Sequence, residues 1–218
     1  MIQIHIKQVC AVAIALFIAA FNANPVYADD HSHVSNVACP VGLVKGLTLD
    51  EEFGAGTQEL TKCNQVRHDV KLLIQINQYC GNSACTRAYA LHNIYNVIAD
   101  YEVTYGMKPG RDYEIVGIIH SGGGSLAVKD GTTGDGVHVV QNAFEDDVKD
   151  LMNKGVKFYF CMNTVRGFQG AGRLPADATS ALVTSVDDNG VTHSVGYVTA
   201  GISALADFQA RGYKYVQP

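Results

Sequence analysis

The chain has 218 residues, six of them cysteines, and a formal net charge of −5 at neutral pH. Its Lys and Arg residues form no stripe or block, so we expect neither nucleic acid nor an anionic lipid surface as a partner. Hydrophobic residues make up 47% of the chain, which is enough for one domain with a core of its own.

Residues 1–28 have the pattern of a secretory signal peptide. Lys7 is the only charged side chain before Asp29, and an apolar run of about a dozen residues follows it. This run is too short to span a bilayer, and "VYA", which ends at Ala28, has the small-residue spacing of a cleavage site. We therefore expect an exported, periplasmic protein with no membrane segment after cleavage; the alternative is a retained membrane anchor.

Residues 29–68 show no sustained periodicity, and we expect an irregular extension that contains Cys39 and Cys63. The pair His31 and His33 near its start is interpreted as part of a solvated tail rather than as a metal site. No cofactor and no metal ion is expected. From residue 69 onward, apolar runs begin to alternate with stretches of helical periodicity, which marks a domain over residues 69–218.

The alternation predicts an α/β domain. Ser83 is the expected cap of the first helix, and Asn142 with Glu145 is the expected capping box of the second. Strands that alternate with helices imply right-handed crossovers, so we predict a three-layer sandwich with a mainly parallel sheet of about five strands. The predicted strands are 70–78, 113–120, 156–163, 194–200 and 213–218, and the predicted helices are 83–105, 142–155, 176–182 and 203–212.

Two reactive side chains stand near the ends of predicted strands. His120 ends the second strand and Cys161 lies near the end of the third. Ligands of parallel α/β sheets bind outside the carboxyl ends of the strands, so both residues point to one rim and approach each other if the strands are neighbours. The loop "SGGGSLA" after His120 is expected to be flexible, with a backbone that a ligand can approach closely. Ser125 in this loop lacks the last glycine of a nucleophile elbow, which leaves a serine hydrolase as a weaker alternative.

The cysteines argue for one free thiol. Signal cleavage removes Cys10 and leaves an odd number, and Cys161 is the expected unpaired cysteine. It is either a buried core thiol or a nucleophile, whose thiolate Arg166 and a following helix N-terminus would favour. For Cys80 and Cys85 a structural bridge is favoured over a redox pair, and the spacing argues against a four-cysteine zinc site. The disulfide candidates, whose connectivity stays open, are Cys39, Cys63, Cys80 and Cys85.

Three segments carry a family resemblance. "YEIVGIIHSGGG", "KGVKFYFCMNT" and the C-terminal "AGISALADFQARGYKYVQP" resemble the DsrE/DsrF-like sulfur-relay family over roughly residues 69–218. The resemblance implies the same three-layer fold and a homotrimer or hexamer. It also maps the family's persulfide-carrying cysteine onto Cys161. Relay members pass sulfur to partner subunits, so a small sulfur compound or a thiol partner protein is implied here.

The leading hypothesis is an exported sulfur-handling protein in which Cys161 accepts sulfane sulfur from a small donor such as thiosulfate or a polysulfide and releases it to a thiol partner. His120 and the backbone N–H groups of the glycine loop would bind the anionic sulfur group. The alternative is a non-catalytic module of the same fold that binds a ligand or partner protein at this rim, with Cys161 merely buried. The predicted site residues are Cys161, His120, Gly122, Gly123, Gly124, Asn163 and Arg166.

Overall fold

The computed structural model describes residues 69–81, 84–104 and 106–218 of the chain. The expected signal peptide, the extension with Cys39 and Cys63, and the expected cap Ser83 lie outside the described residues. Among those that are described, no helix is long and apolar enough to cross a membrane.

A five-stranded parallel sheet organises the described residues. The strands are β1 (Val70–Ile76), β2 (Tyr113–Ile119), β3 (Lys157–Cys161), β4 (Thr184–Val186), β5 (Thr192–Ser194), β6 (Gly196–Val198) and β7 (Lys214–Val216), of which β4 and β5 form a separate antiparallel hairpin. The order of the five strands in the sheet is β6-β3-β2-β1-β7, and each neighbouring pair runs parallel. The interior strands β1 and β2 are nearly continuous apolar runs because helices cover both faces of the sheet.

Helices pack on the two faces and complete three layers. On one face, Leu91 of the first helix and Leu151 of the second belong to the larger apolar core. On the other face, Leu205 of the last helix packs in a smaller core with Val116 and Ile118 of β2. The predicted three-layer α/β fold is therefore confirmed. The α-helices are α1 (Tyr89–Ala99), α2 (Glu145–Asn153), α3 (Met162–Gly170) and α4 (Gly201–Ala210).

Several predicted boundaries were wrong. The first helix begins at Tyr89 rather than at residue 83, and it ends in a π-helical turn, Asp100–Thr104. The predicted helix 176–182 is a single 3-10 turn, Thr179–Ala181. The hairpin β4–β5 was not predicted. A helix N-terminus was expected after Cys161, but no bounds were assigned to that helix. It is α3, and its two glycines, Gly167 and Gly170, weaken the helical pattern of "MNTVRGFQG".

The capping box expected at Asn142 does not form. Helix α2 starts at Glu145, and Asn142 lies before its N-cap. The Asn142 amide instead donates to the carbonyl of Val128 at 2.8 Å, while Glu145 accepts from the backbone N–H of Asp130 at 2.6 Å. Both side chains therefore anchor the loop that follows β2.

Cys80 and Cys85 form a disulfide just before α1, with their Cα atoms 5.0 Å apart. The disulfide agrees with the structural bridge favoured from the sequence, and it means that neither cysteine is a free thiol. Cys161 is the free cysteine among the described residues.

We expect removal of this bridge, in a Cys80→Ser/Cys85→Ser double variant, to lower the free energy of unfolding by about 2 kcal/mol or less. The reason is that the bridge closes a short loop, with a sequence separation of 5, and short loops gain least from cross-linking. Chemical denaturation measures the change. A free energy of unfolding equal to that of the natural protein would contradict a structural role for the bridge.

Candidate functional site

Cys161 lies where β3 ends and α3 begins. It is the last residue of the strand and the N-cap of the helix, and its side chain is buried with 4% of its surface exposed. Its Cα is in register with Val198 of edge strand β6. The thiol therefore sits at the carboxyl rim of the sheet, directly in front of a helix N-terminus.

Two helix N-termini converge on the sulfur. The backbone N–H of Gly201, the first residue of α4, donates to Cys161 Sγ at 3.1 Å. From α3, the backbone N–H groups of Asn163 and Thr164 and the Thr164 hydroxyl also act on the sulfur and lower its pKa. Free N–H groups at a helix N-terminus carry partial positive charge and favour an anion. The arrangement is thus a cradle for a thiolate.

These donors set the pKa of the thiol. Burial raises the pKa of Cys161, but the N–H groups of Thr164, Gly201 and Asn163 together with the Thr164 hydroxyl outweigh burial and hold it below the ordinary 9.0. A depressed pKa means that the fold stabilises the thiolate. This contribution to stability is present above the unfolded-state pKa and is lost as the pH falls through the lower folded-state pKa.

His120 lies beside this cradle. It directly follows β2, which pairs with β3, and it is buried with 9% of its surface exposed. A Cβ atom added to Gly201 would lie 3.2 Å from His120 Cγ, so the imidazole packs directly against the residue that donates to Cys161. The structure therefore brings His120 and Cys161 together around Gly201.

Both ring nitrogens of His120 contact polar side chains of the protein. Its Nε2 lies 2.7 Å from the side-chain nitrogen of Gln75, and its Nδ1 lies 2.9 Å from Ser121 Oγ. Burial lowers the pKa of His120 and favours the neutral ring. Both ring nitrogens thus have protein partners, and the role of His120 in binding an anionic sulfur group stays a prediction.

The glycine loop is packed and helical, not the flexible loop that was expected. Residues 121–127 form a 3-10 helix in which Gly123 and Gly124 are buried. The Gly123 N–H donates to the His120 carbonyl at 3.0 Å, and a Cβ on Gly122 would lie 2.9 Å from the Asn77 carbonyl oxygen. These glycines allow close packing against β1 and α3. Ser125 also lies inside this 3-10 helix, so the strand-to-helix turn of a nucleophile elbow is absent there.

Arg166 and Asn163 pair with each other on the exposed side of α3. The Arg166 guanidinium donates to Asn163 Oδ1 at 2.9 Å. The groups that lower the pKa of Cys161 are N–H and hydroxyl donors, so the favourable effect expected of Arg166 is supplied by neutral groups instead. Asn163 acts on Cys161 through its backbone N–H.

Four residues of the site were not singled out from the sequence. Gly201 and Thr164 hold the sulfur, and Gln75 and Tyr215 form a hydrogen-bonded chain to His120. The clearest signal was the glycine that opens the last helix, because glycine at a helix start permits close approach to another chain segment. Among the described residues, no group of three or more His, Cys, Asp or Glu side chains could hold a metal ion.

We expect the Thr164→Val variant to alkylate Cys161 about tenfold more slowly at neutral pH, because it loses one hydrogen bond to a charged sulfur. The same hydroxyl accepts the Ser121 N–H at 2.9 Å, so the loop also loosens. Iodoacetamide labelling followed by peptide mass spectrometry measures the rate. Thr192→Val, on the exposed strand β5, is the matched control, and equal rates in the two variants would contradict the assignment.

Comparisons with known proteins add a likeness to a solved structure. No family model matches the chain, and no curated protein matches it. The chain is similar to a solved protein of unknown function, MTH1491 from Methanobacterium thermoautotrophicum, with 20% sequence identity and a TM-score of 0.43. The likeness covers 69% of this chain and 99% of that one.

Proposed function

We propose that this is an exported sulfur-handling protein in which Cys161 carries sulfane sulfur as a persulfide. The observation that supports it best is the convergence of two helix N-termini on one free thiol, which lowers its pKa. The thiolate is the nucleophilic form of cysteine, so a fold that favours it prepares the residue for reaction. The resemblance to the DsrE/DsrF-like family points the same way.

The chemistry needs no external oxidant. The Cys161 thiolate attacks the sulfane sulfur of a donor, such as a polysulfide, and forms a new S–S bond. The S–S bond of the donor breaks, and its remaining fragment leaves with the electron pair as a thiolate or hydrosulfide. In the second step an acceptor thiolate attacks the outer sulfur, and Cys161 leaves as a thiolate. The helix N-termini that hold the attacking thiolate also stabilise it as the leaving group.

The proposal includes the setting of the reaction. Residues 1–28 would direct export, and the acceptor would be a small thiol or a thiol-bearing partner protein. A homotrimer or hexamer is proposed on the family resemblance.

Peptide mass spectrometry of the full chain after polysulfide treatment tests the function. We expect one or more added sulfur atoms on the Cys161 peptide, with loss of the label when a small thiol is added. Sulfur found only on Cys80 or Cys85 would show that Cys161 is not the carrier.

The burial of Cys161 favours a second function. With 4% of its surface exposed, Cys161 fits a non-catalytic module that binds a ligand or partner protein at the same rim. Alkylation of native and denatured protein separates the two functions. A Cys161 that reacts only after denaturation would support the binding module and overturn the carrier.

A further inference from the structure

A chain of side-chain hydrogen bonds crosses the rim toward Cys161. Tyr215 is on edge strand β7, Gln75 is on β1, and His120 follows β2. The Tyr215 hydroxyl donates to Gln75 Oε1, and Gln75 Nε2 faces His120 Nε2 at 2.7 Å. Register and alternation place Tyr215 and Gln75 on the sheet face that α4 covers, because Tyr215 is opposite Leu73 and Gln75 is two residues further along β1.

With the Gln75 amide in this orientation, the donors and acceptors along the chain favour one protonation state of His120. The Tyr215 O–H donates to the carbonyl oxygen of Gln75, which leaves the amide N–H of Gln75 to donate toward the ring. His120 Nε2 must then accept, so its single proton is on Nδ1, where Ser121 Oγ at 2.9 Å accepts it. A second proton, on Nε2, would face the N–H donor of Gln75 and would require the amide to turn over.

We propose that Tyr215 and Gln75 are positioning residues that hold His120 as a neutral imidazole protonated at Nδ1. The neutral ring of His120 is then a packing surface for Gly201. It acts neither as a general base nor as a cationic partner of Cys161. The thiolate is stabilised by N–H and hydroxyl donors alone, unlike the ion pair of a Cys–His nucleophile.

The neutral state of His120 also affects which sulfur donors can react, a consequence that rests on the proposed function. An anionic sulfur without a compensating cation repels a second negative charge, and this repulsion grows with the charge of the donor. We therefore infer that the substrate class is a sulfane donor of low charge, such as a hydropolysulfide or an organic persulfide, rather than dianionic thiosulfate.

Nitrogen NMR of the ¹⁵N-labelled full chain tests the protonation state directly. We expect the His120 resonances to show a protonated Nδ1 and an unprotonated Nε2 at neutral pH. Reversed assignments, or two protonated nitrogens, would overturn the proposal. This readout is independent of sulfur uptake, so its failure is distinguishable from failure of the proposed function.

Two variants test the roles of Gln75 and Tyr215. In Gln75→Glu the carboxylate accepts from Nε2, and we expect both nitrogens of His120 to be protonated at neutral pH. Gln75 is 8% exposed, so Tyr215→Phe, which removes one hydroxyl from an exposed edge strand, provides a second test. We expect it to give a mixture of the two neutral tautomers. Tyr197→Phe on edge strand β6 is the control, and a Tyr215→Phe spectrum identical to it would contradict the chain.

The donor class is tested by single-turnover sulfur transfer to Cys161. Each donor is tested with Cys161 and with free glutathione as the acceptor of sulfur. For each acceptor, the rate with an organic persulfide is divided by the rate with thiosulfate. We expect this ratio to be more than about tenfold larger for Cys161 than for glutathione, because the thiolate in the cradle repels the charge of thiosulfate. An equal ratio would show that the site does not discriminate between donors by charge and would overturn the inference. If neither donor labels Cys161, the proposed function itself fails while the NMR result stands.

Discussion

The Gly123→Ala variant is expected to be less stable than the natural protein by about 2–3 kcal/mol in free energy of unfolding. An added Cβ would lie 2.5 Å from the backbone oxygen of Ile76 and 3.0 Å from its carbonyl carbon. These atoms belong to the backbone of β1, an interior strand of the sheet, and cannot rotate away as a side chain would. Relief of the clash must therefore move the 3-10 helix and, with it, His120. Urea denaturation measures the loss.

Gly167→Ala is the matched control for this prediction. Gly167 lies within α3, and no atom would lie within 4 Å of an added Cβ. Because alanine favours a helix over glycine, we expect this variant to be more stable by about 1 kcal/mol. Equal changes in the free energy of unfolding at the two positions would mean that the close approach of Gly123 to β1 does not affect stability.

The Gly201→Val variant is expected to slow alkylation of Cys161 at neutral pH by about tenfold to a hundredfold, the worth of a hydrogen bond to a charged group. The first atom of the new side chain already approaches the His120 ring at 3.2 Å, and the two methyl groups need further space. The start of α4 must therefore move, and its N–H leaves Cys161 Sγ. Rates are measured at the Cys161 peptide by mass spectrometry.

Ile202→Ala is the control for that variant. Ile202 is the next residue of α4 and is 70% exposed, so its truncation leaves the helix start in place. We expect its alkylation rate to equal that of the natural protein. A Gly201→Val rate that also stays unchanged would show that the N-terminus of α4 does not stabilise the thiolate.

The architecture was readable from the sequence because the strands are buried on both faces. Runs such as "VKLLIQI" and "YEIVGII" have little polar interruption, and each is followed by turn residues. The rim position of Cys161 followed from the same reasoning, since the apolar run of β3 ends at this residue. The condition set for an approach of His120 and Cys161, that their strands are neighbours, is met because β2 pairs with β3.

The partners of the site were not readable, because strand order brings them together from distant parts of the chain. Gly201 reaches Cys161 because β6 pairs with β3, which places α4 over the rim. Tyr215 reaches Gln75 across 140 residues of sequence because the last strand returns to the side of the first. Local periodicity contains no information about such neighbours.

The charged and titratable side chains near Cys161 were the least reliable basis for predicting the site. In the sequence, Arg166 and His120 were the groups expected to favour an anion. The structure gives Arg166 a partner in Asn163 and gives both ring nitrogens of His120 protein partners. Backbone N–H groups, which every residue except proline has and no sequence pattern marks, hold the sulfur instead.

The pH dependence of Cys161 alkylation in the native full chain tests the central claim most directly. The alkylation rate follows the thiolate fraction, so its inflection reports the pKa of the thiol. We predict an inflection below the ordinary 9.0, because the N–H and hydroxyl donors outweigh burial. An inflection at or above that value, or labelling only after denaturation, would contradict the account.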